Sequence, residues 1–228
     1  MLLTIDRPIL ASQAFTFPED TTPWVPENYH SNYRKCSGGG KTPIRNRASF
    51  GRLQNAVVAH QPDDWENLFG IYILFMEIPS PTIYIGIASE DARVPEGIFS
   101  RFKKHRVKIT GSHVGNDVGH GGVHHPRKWG AYAIERYNHF GHHRDDLSDL
   151  KIAQARIEGR SIQTKSDLER FEKHLFNNCS NVLDAIAKTM WAGNEQPVRL
   201  LNHVTKCKHS QTGDLVRLWD DREIRIHD

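Results

Sequence analysis

The sequence has few cysteines and no long hydrophobic run, and these absences exclude several classes of protein. Only three of the 228 residues are cysteines, and their wide spacing offers neither a disulfide framework nor a CxxC zinc motif. This usage is typical of a reducing cytoplasm. The longest nearly apolar stretch, Leu68–Met76, is too short for a membrane-spanning helix of about 18 residues, and the N-terminus has too short an apolar run for a signal peptide. We therefore expect neither a secreted scaffold nor a membrane protein.

Acidic residues are absent between Glu27 and Asp63, although the whole chain has a net charge of only +3. This interval is basic and contains interleaved tyrosines, and residues 101–110 form a second basic segment without acids. Segregated positive charge with aromatics is typical of a surface that follows a phosphate backbone, whereas solvated loops balanced by acids elsewhere are the alternative. The residues expected to contact DNA are Arg34, Lys35, Lys41, Arg45, Arg47, Lys103, Lys104, Arg106 and Lys108.

Hydrophobic patterning divides the chain into three parts. Residues 1–67 are predicted to form a basic, irregular extension, residues 68–190 the core, and residues 191–228 a C-terminal extension. In the core, two apolar runs joined by a Pro-Ser-Pro connection predict an antiparallel hairpin whose strands are buried on both faces. The other predicted elements are a helix over 96–109, a loop over 111–128, a strand over 129–137, helices over 146–158, 166–177 and 181–190, and a terminal strand or hairpin over 215–226.

The two hairpin strands carry a pair of related triplets. Gly70-Ile71-Tyr72 is followed, after eleven residues, by Tyr84-Ile85-Gly86. Alternation along a strand allows the two phenols to lie side by side, although tyrosine is also common in strands for packing alone. The triplets and their spacing resemble the signature of the GIY-YIG nuclease superfamily, over roughly residues 68–190.

This resemblance implies a fold and a set of site residues. The expected fold is α/β (α+β), with a small three-stranded antiparallel sheet flanked by helices and with N- and C-terminal extensions. The family expects an arginine on the first helix and a histidine four residues later, which Arg101 and His105 match. It also expects a glutamate on a later helix, matched by Glu172, and an asparagine about twelve residues further on. Asp184 stands at that place, so we assign Asn181 instead.

The chemistry of these residue types is compatible with such a role. An arginine can bind a scissile phosphate bidentately, and its alternative is an ordinary place on a solvated basic helix. His105 lies on an apolar stripe and could instead be a buried structural histidine. Glu172 also falls within the apolar stripe of its predicted helix, where a carboxylate needs a compensating partner. That partner is either a divalent cation, which we favour, or Arg101.

The resemblance implies hydrolysis of a phosphodiester with one Mg²⁺ held by Glu172 and with Mn²⁺ as a substitute. Tyr72 would help to deprotonate the attacking water, while Tyr84 and His105 position it or relay its proton. We expect a cytoplasmic, sequence-specific endonuclease of double-stranded DNA, similar to type II restriction enzymes, with no organic cofactor. Cutting both strands of a symmetric site predicts a homodimer or a transient dimer. The alternatives are a non-catalytic nucleic-acid-binding module and a structure-specific nuclease.

Overall fold

The described parts of the chain form one large sheet, three small ladders, two continuously described helices and several shorter helical stretches. In chain order the elements are β1 (Leu2–Ile5), β2 (Ile9–Leu10), α1 (Ala11–Ala14), β3 (Phe15–Thr16), β4 (Trp24–Val25), β5 (Ile44–Arg45), β6 (Val58–Ala59), β7 (Gly70–Met76), β8 (Thr82–Ala88), β9 (Glu90–Asp91), β10 (Val94–Pro95), α2 (Ile98–Ile109), β11 (Leu150–Ile157), β12 (Arg199–Leu200), β13 (Leu215–Arg217) and β14 (Glu223–Arg225).

The computed structural model describes residues 2–16, 24–25, 44–45, 58–59, 70–88, 90–91, 94–95, 97–109, 132, 135–136, 138–140, 147–157, 166, 169, 185–186, 188–191, 198–202, 215–217 and 223–225. The predicted loop over 111–128 lies outside these residues. No helix within them is long and apolar enough to cross a membrane.

The predicted hairpin is confirmed. β7 and β8 pair antiparallel over their full lengths, from Gly70 opposite Ala88 to Met76 opposite Thr82. Every residue of β7 is buried, and β8 is buried except at Ile87, which is intermediate. The continuous apolar runs therefore reflect two strands that are covered on both faces.

The predicted small three-stranded antiparallel sheet flanked by helices is wrong. Within the described residues the sheet has eight strands, in the order β12-β8-β7-β11-β1-β13-β14, with β2 also paired to β11. It is mixed, because β12–β8 and β1–β13 are parallel whereas β7–β8, β7–β11 and β1–β11 are antiparallel. The sheet is larger because strands from residues 2–10 and from residues 199–225 pair into it. The domain boundaries at residues 67 and 190 remain predictions.

Two elements have the opposite secondary structure from the prediction. Tyr132 and Glu135–Arg136 are helical where a strand was predicted over 129–137. Leu150–Ile157 is a strand where a helix was predicted over 146–158, because its two edges are occupied by β7 and β1. The third strand beside the hairpin is therefore β11.

The remaining predicted elements agree with the structure where it describes them. Helix α2 begins at Ile98 and ends at Ile109, which confirms the helix predicted over 96–109. Residues 185–186 and 188–190 are helical, as predicted, and β13 pairs antiparallel with β14, which confirms a hairpin within 215–226. Of the helix predicted over 166–177, only Ser166 and Glu169 are described, and both are helical.

The hairpin separates two apolar cores. Even-numbered residues of β7, such as Tyr72 and Leu74, pack with Phe102 of α2 in the first core. Odd-numbered residues, such as Ile73, pack with Ile186 in the second core. Because side chains alternate across a strand, Tyr72 and Tyr84 face the same side as helix α2.

A buried polar cluster lies at the turn end of the hairpin. Arg136 makes a bidentate ion pair with Asp149, and the Tyr132 hydroxyl donates to the Ile78 carbonyl at 2.7 Å. Burial lowers the pKa of the Arg136 guanidinium, but the hydrogen bond and charge of Asp149 more than offset this and raise it. Burial raises the pKa of the Tyr132 phenol well above its usual range, because the phenolate would lose its hydration.

The raised pKa of Tyr132 predicts a loss of stability at high pH. The neutral phenol is fully stabilised by the fold below its unfolded pKa of about 10, and this contribution is lost as the pH rises above 10 towards the folded pKa. The free energy of unfolding should fall by up to about 1.4 kcal/mol per pH unit from this group. Urea unfolding between pH 9 and 11.5 measures it. Tyr132→Phe should flatten the curve, and an unchanged slope in that variant would contradict the assignment.

Candidate active site

A buried tyrosine–histidine pair joins the hairpin to helix α2. The Tyr72 hydroxyl and the His105 Nε2 atom lie 2.6 Å apart, and the two residues are 0 % and 5 % exposed. Either group can be the donor, depending on the tautomer of the imidazole. His105 points at the strand because it lies on the same buried face of α2 as Ile98, Phe102 and Ile109. A proton can therefore pass between a phenol and an imidazole at this point.

Tyr84 contacts the same imidazole. Its ring centroid lies 4.6 Å from that of His105 and 6.4 Å from that of Tyr72. Tyr84 is also buried, at 7 % exposure, and stands opposite Leu74 in the strand register. The two tyrosines from the two triplets thus surround one histidine from the helix.

Gly86 makes room for the Tyr72 ring. It stands directly opposite Tyr72 in the ladder, and a Cβ atom at this position would lie 2.8 Å from Tyr72 Cε1 and closer still to Cζ and Oη. Real Cβ atoms essentially never approach another heavy atom so closely. The ring can therefore reach His105 only because residue 86 has no side chain.

Arg101 is held beside the second triplet. It lies one helical turn before His105, and its Nε–H donates to the Ile87 carbonyl at 3.2 Å. Ile87 directly follows Gly86, so the guanidinium is attached to the end of the Tyr84-Ile85-Gly86 segment. The structure therefore brings four sequence-predicted site residues together: Tyr72, Tyr84, Arg101 and His105.

Asn202 belongs to this arrangement and is absent from the sequence-based set of site residues. Its Oδ1 accepts from the Ile85 N–H at 2.7 Å, and its Nδ2 donates to the Ile85 carbonyl at 2.6 Å. Ile85 is the middle residue of the second triplet, so this buried amide fixes the strand between Tyr84 and Gly86. An asparagine after a short apolar run more often signals a turn, so the sequence offered no signal of this role.

Removing the Asn202 side chain is expected to destabilise the hairpin. Asn202→Ala leaves the buried N–H and C=O of Ile85 without partners, at a cost of about 1–3 kcal/mol for each group. Urea unfolding at pH 7 gives this loss directly. Asn202→Asp is the matched control, because at pH 7 its carboxylate can accept from the N–H but cannot donate to the C=O. Stability of Asn202→Asp should rise as the carboxyl group is protonated on acidification, and an Ala variant as stable as the wild type would contradict this role.

The other sequence-predicted residues are not placed in the site. Glu172, Asn181, Arg34, Lys35, Lys41 and Arg47 lie outside the described residues. Arg45 belongs to β5, where it stands opposite Trp24 in the register. Helix α2 contains the other four predicted DNA contacts, Lys103, Lys104, Arg106 and Lys108. Among the residues that the structure does describe, no group of three or more His, Cys, Asp or Glu side chains could hold a metal ion.

Comparisons with known proteins add no relative: no family model, no curated protein and no solved structure matches the chain.

Proposed function

We propose that the protein is an endonuclease of the GIY-YIG type that hydrolyses phosphodiester bonds of double-stranded DNA at specific sequences, as type II restriction enzymes do. The proposal is supported above all by the buried contact between Tyr72 and His105, at 2.6 Å, beside Tyr84. A buried tyrosine hydroxyl needs a hydrogen-bond partner in any role, and an imidazole is a partner that can also accept its proton. A tyrosine that exchanges a proton with water needs such an acceptor.

In this proposal Tyr72 and His105 act together on the attacking water. With His105 as the neutral acceptor, the Tyr72 hydroxyl passes its proton to Nε2 while its oxygen takes a proton from the water. The water oxygen then forms the new bond to phosphorus, and the leaving sugar oxygen departs with the electron pair of the broken bond. A phenol with a pKa near 10 is a weak base by itself, so the histidine supplies the acceptor that the phenol lacks. Tyr84 packs against the imidazole and limits its orientation.

Arg101 would stabilise the charge on the phosphate. Its attachment to the Ile87 carbonyl through Nε places the guanidinium next to the two triplets. A preorganised guanidinium favours the additional negative charge that develops on phosphoryl oxygens in the transition state.

The proposal includes one Mg²⁺ ion, with Mn²⁺ as a substitute, which Glu172 would hold, and it includes Asn181 among the catalytic residues. When bound, such an ion acts as a Lewis acid towards the scissile phosphate. The basic residues between Arg34 and Arg47, together with those of α2, would contact the DNA backbone. Two protomers, as a homodimer or a transient dimer in the cytoplasm, would cut the two strands of a symmetric site.

Incubation with unmethylated duplex DNA tests the proposal. Purified protein is incubated with long PCR products of mixed sequence, with and without Mg²⁺ or Mn²⁺, and the products are resolved on a gel. Discrete metal-dependent bands are the expected result, and Glu172→Gln should abolish them. A smear would overturn sequence specificity. Cleavage of flap substrates alone would indicate a structure-specific nuclease, and salt-dependent binding without strand breaks would indicate a non-catalytic binding module.

A further inference from the structure

The N-terminal segment 2–16 is built into the same sheet as the candidate site. β1 pairs antiparallel with β11, with Leu3 opposite Ile157, and β2 pairs with the beginning of the same strand. The short helix α1 follows at once and buries Ala11 and Ala14 in the first core. This segment therefore has a fixed position relative to β7, because β7 lies on the other side of β11.

Phe15, at the end of this segment, stacks on helix α2. Its ring lies 4.3 Å from that of Phe102, with an interplanar angle of 19°, and 5.6 Å from that of Phe99, with an angle of 18°. Phe15 is 1 % exposed. The two partner rings are three residues apart on the helix, on either side of Arg101 in the sequence. Phe15 thus packs on the part of α2 that carries the candidate catalytic groups.

We propose that Phe15 is a positioning residue that fixes the rotation of α2 about its axis and thereby places His105 and Arg101. The catalytic part of this proposal rests on the proposed nuclease function. Polar contacts join α2 to the hairpin from His105 to Tyr72 and from Arg101 to the Ile87 carbonyl. The Phe15 stack adds a further contact, which is apolar and comes from a different strand.

The expected sensitivity follows from helix geometry. Side chains of an α-helix extend to about 5–6 Å from its axis, so a rotation of about 10° moves a terminal atom by about 1 Å. The Tyr72–His105 hydrogen bond cannot persist through such a shift without rearrangement, since its donor and acceptor are only 2.6 Å apart. A misplacement of about 1 Å can lower a catalytic rate by about 100-fold.

The test compares Phe15→Leu with Phe75→Leu in the whole 228-residue chain. Phe75 is also fully buried, but it lies in the second core, on the opposite face of the sheet, where its ring meets Trp191. Both variants lose one buried aromatic ring, so both should lose thermal stability. Only Phe15→Leu should lower the single-turnover rate of cleavage at saturating DNA, by about 10- to 100-fold. The affinity for DNA should stay within about 3-fold in both variants, because neither substitution alters a residue that is proposed to contact DNA.

A second measurement keeps this inference separate from the nuclease proposal. The ring nitrogens of His105 are observed by ¹⁵N NMR in the same proteins, and this requires no substrate. Phe15→Leu should shift these resonances and Phe75→Leu should not. Unchanged His105 resonances in a folded Phe15→Leu protein would overturn the positioning role, whatever the DNA assay shows. Shifted resonances in Phe15→Leu, together with a wild-type protein that does not cut DNA, would support the positioning role and overturn only the proposed function.

Discussion

Tyr72→Phe is expected to lower the rate of DNA cleavage by about 10²–10⁴-fold, the usual contribution of a positioned proton-transfer group. The substitution removes one oxygen atom, which lies 2.6 Å from His105 Nε2 in a fully buried position. The ring keeps its place against Gly86, so DNA affinity should not change. The lost hydrogen bond should cost about 1–3 kcal/mol of unfolding free energy. Single-turnover cleavage and urea unfolding measure the two effects.

Tyr132→Phe is the matched control for this prediction. Tyr132 is equally buried in the same core, and its hydroxyl is also hydrogen-bonded, to the Ile78 carbonyl at the turn end of the hairpin. The two variants should therefore lose similar stability. Tyr132→Phe should retain the cleavage rate, since its hydroxyl bonds to the turn and not to the candidate site. A Tyr72→Phe protein as active as Tyr132→Phe would show that the Tyr72 hydroxyl takes no part in the reaction.

Gly86→Ala is expected to destabilise the protein by about 1–3 kcal/mol or more and to lower cleavage by at least about 100-fold. The new Cβ would lie 2.8 Å from Tyr72 Cε1, and the strand that carries it is hydrogen-bonded on both sides. The tyrosine ring must move instead, and it then loses His105. Differential scanning calorimetry and single-turnover cleavage give the two losses.

A double-mutant cycle identifies the cause of the loss. Tyr72→Leu removes the ring atoms that the introduced methyl group would meet. The destabilisation by Gly86→Ala should therefore shrink in the Tyr72→Leu background, with a coupling energy of about 1–3 kcal/mol. Strictly additive losses would mean that Gly86 is required by the backbone and not by the ring of Tyr72.

The parts of the fold that the sequence predicts are those where local pattern and burial agree. Both strands of the hairpin are continuous apolar runs, since both are covered on two faces. α2 has its buried residues at helical spacing, and it begins within two residues of the predicted start. In these segments the local pattern of apolar residues is enough to identify the element.

The errors arise where pairing partners decide the structure. Leu150–Ile157 is rich in residues with high helix propensity, yet it is a central strand because β7 and β1 occupy its two edges. The segment 129–137 is so short that the spacing of its apolar residues fits the two-residue period of a strand as well as the 3.6-residue period of a helix. There Tyr132 and Arg136 are four residues apart and both buried, as on one face of a helix. The extra strands of the mixed sheet come from opposite ends of the chain. An alternating pattern predicts β13 and β14, but no local signal indicates that they or β1, β2 and β12 pair into the sheet of the core.

The same distinction applies to the site. Tyr72, Tyr84, Arg101 and His105 are brought together as the triplets and the i,i+4 spacing suggest. The residues that hold them in place, Phe15 and Asn202, act through long-range contacts that no spacing encodes. Glu172 and Asn181 remain predictions.

The outer edge of β8 is closed to a second polypeptide chain. Four successive outward carbonyls of this edge each accept a hydrogen bond. Two of the donors are the backbone N–H groups of Arg199 and Leu201, and the other two are the side chains of Asn202 and Arg101. These carbonyls belong to Pro81, Ile83, Ile85 and Ile87. An open strand edge can recruit a strand of another molecule, and such pairing is a common beginning of aggregation. Because these groups are already bonded, the strand that carries Tyr84 offers no open edge to another molecule between Pro81 and Ile87.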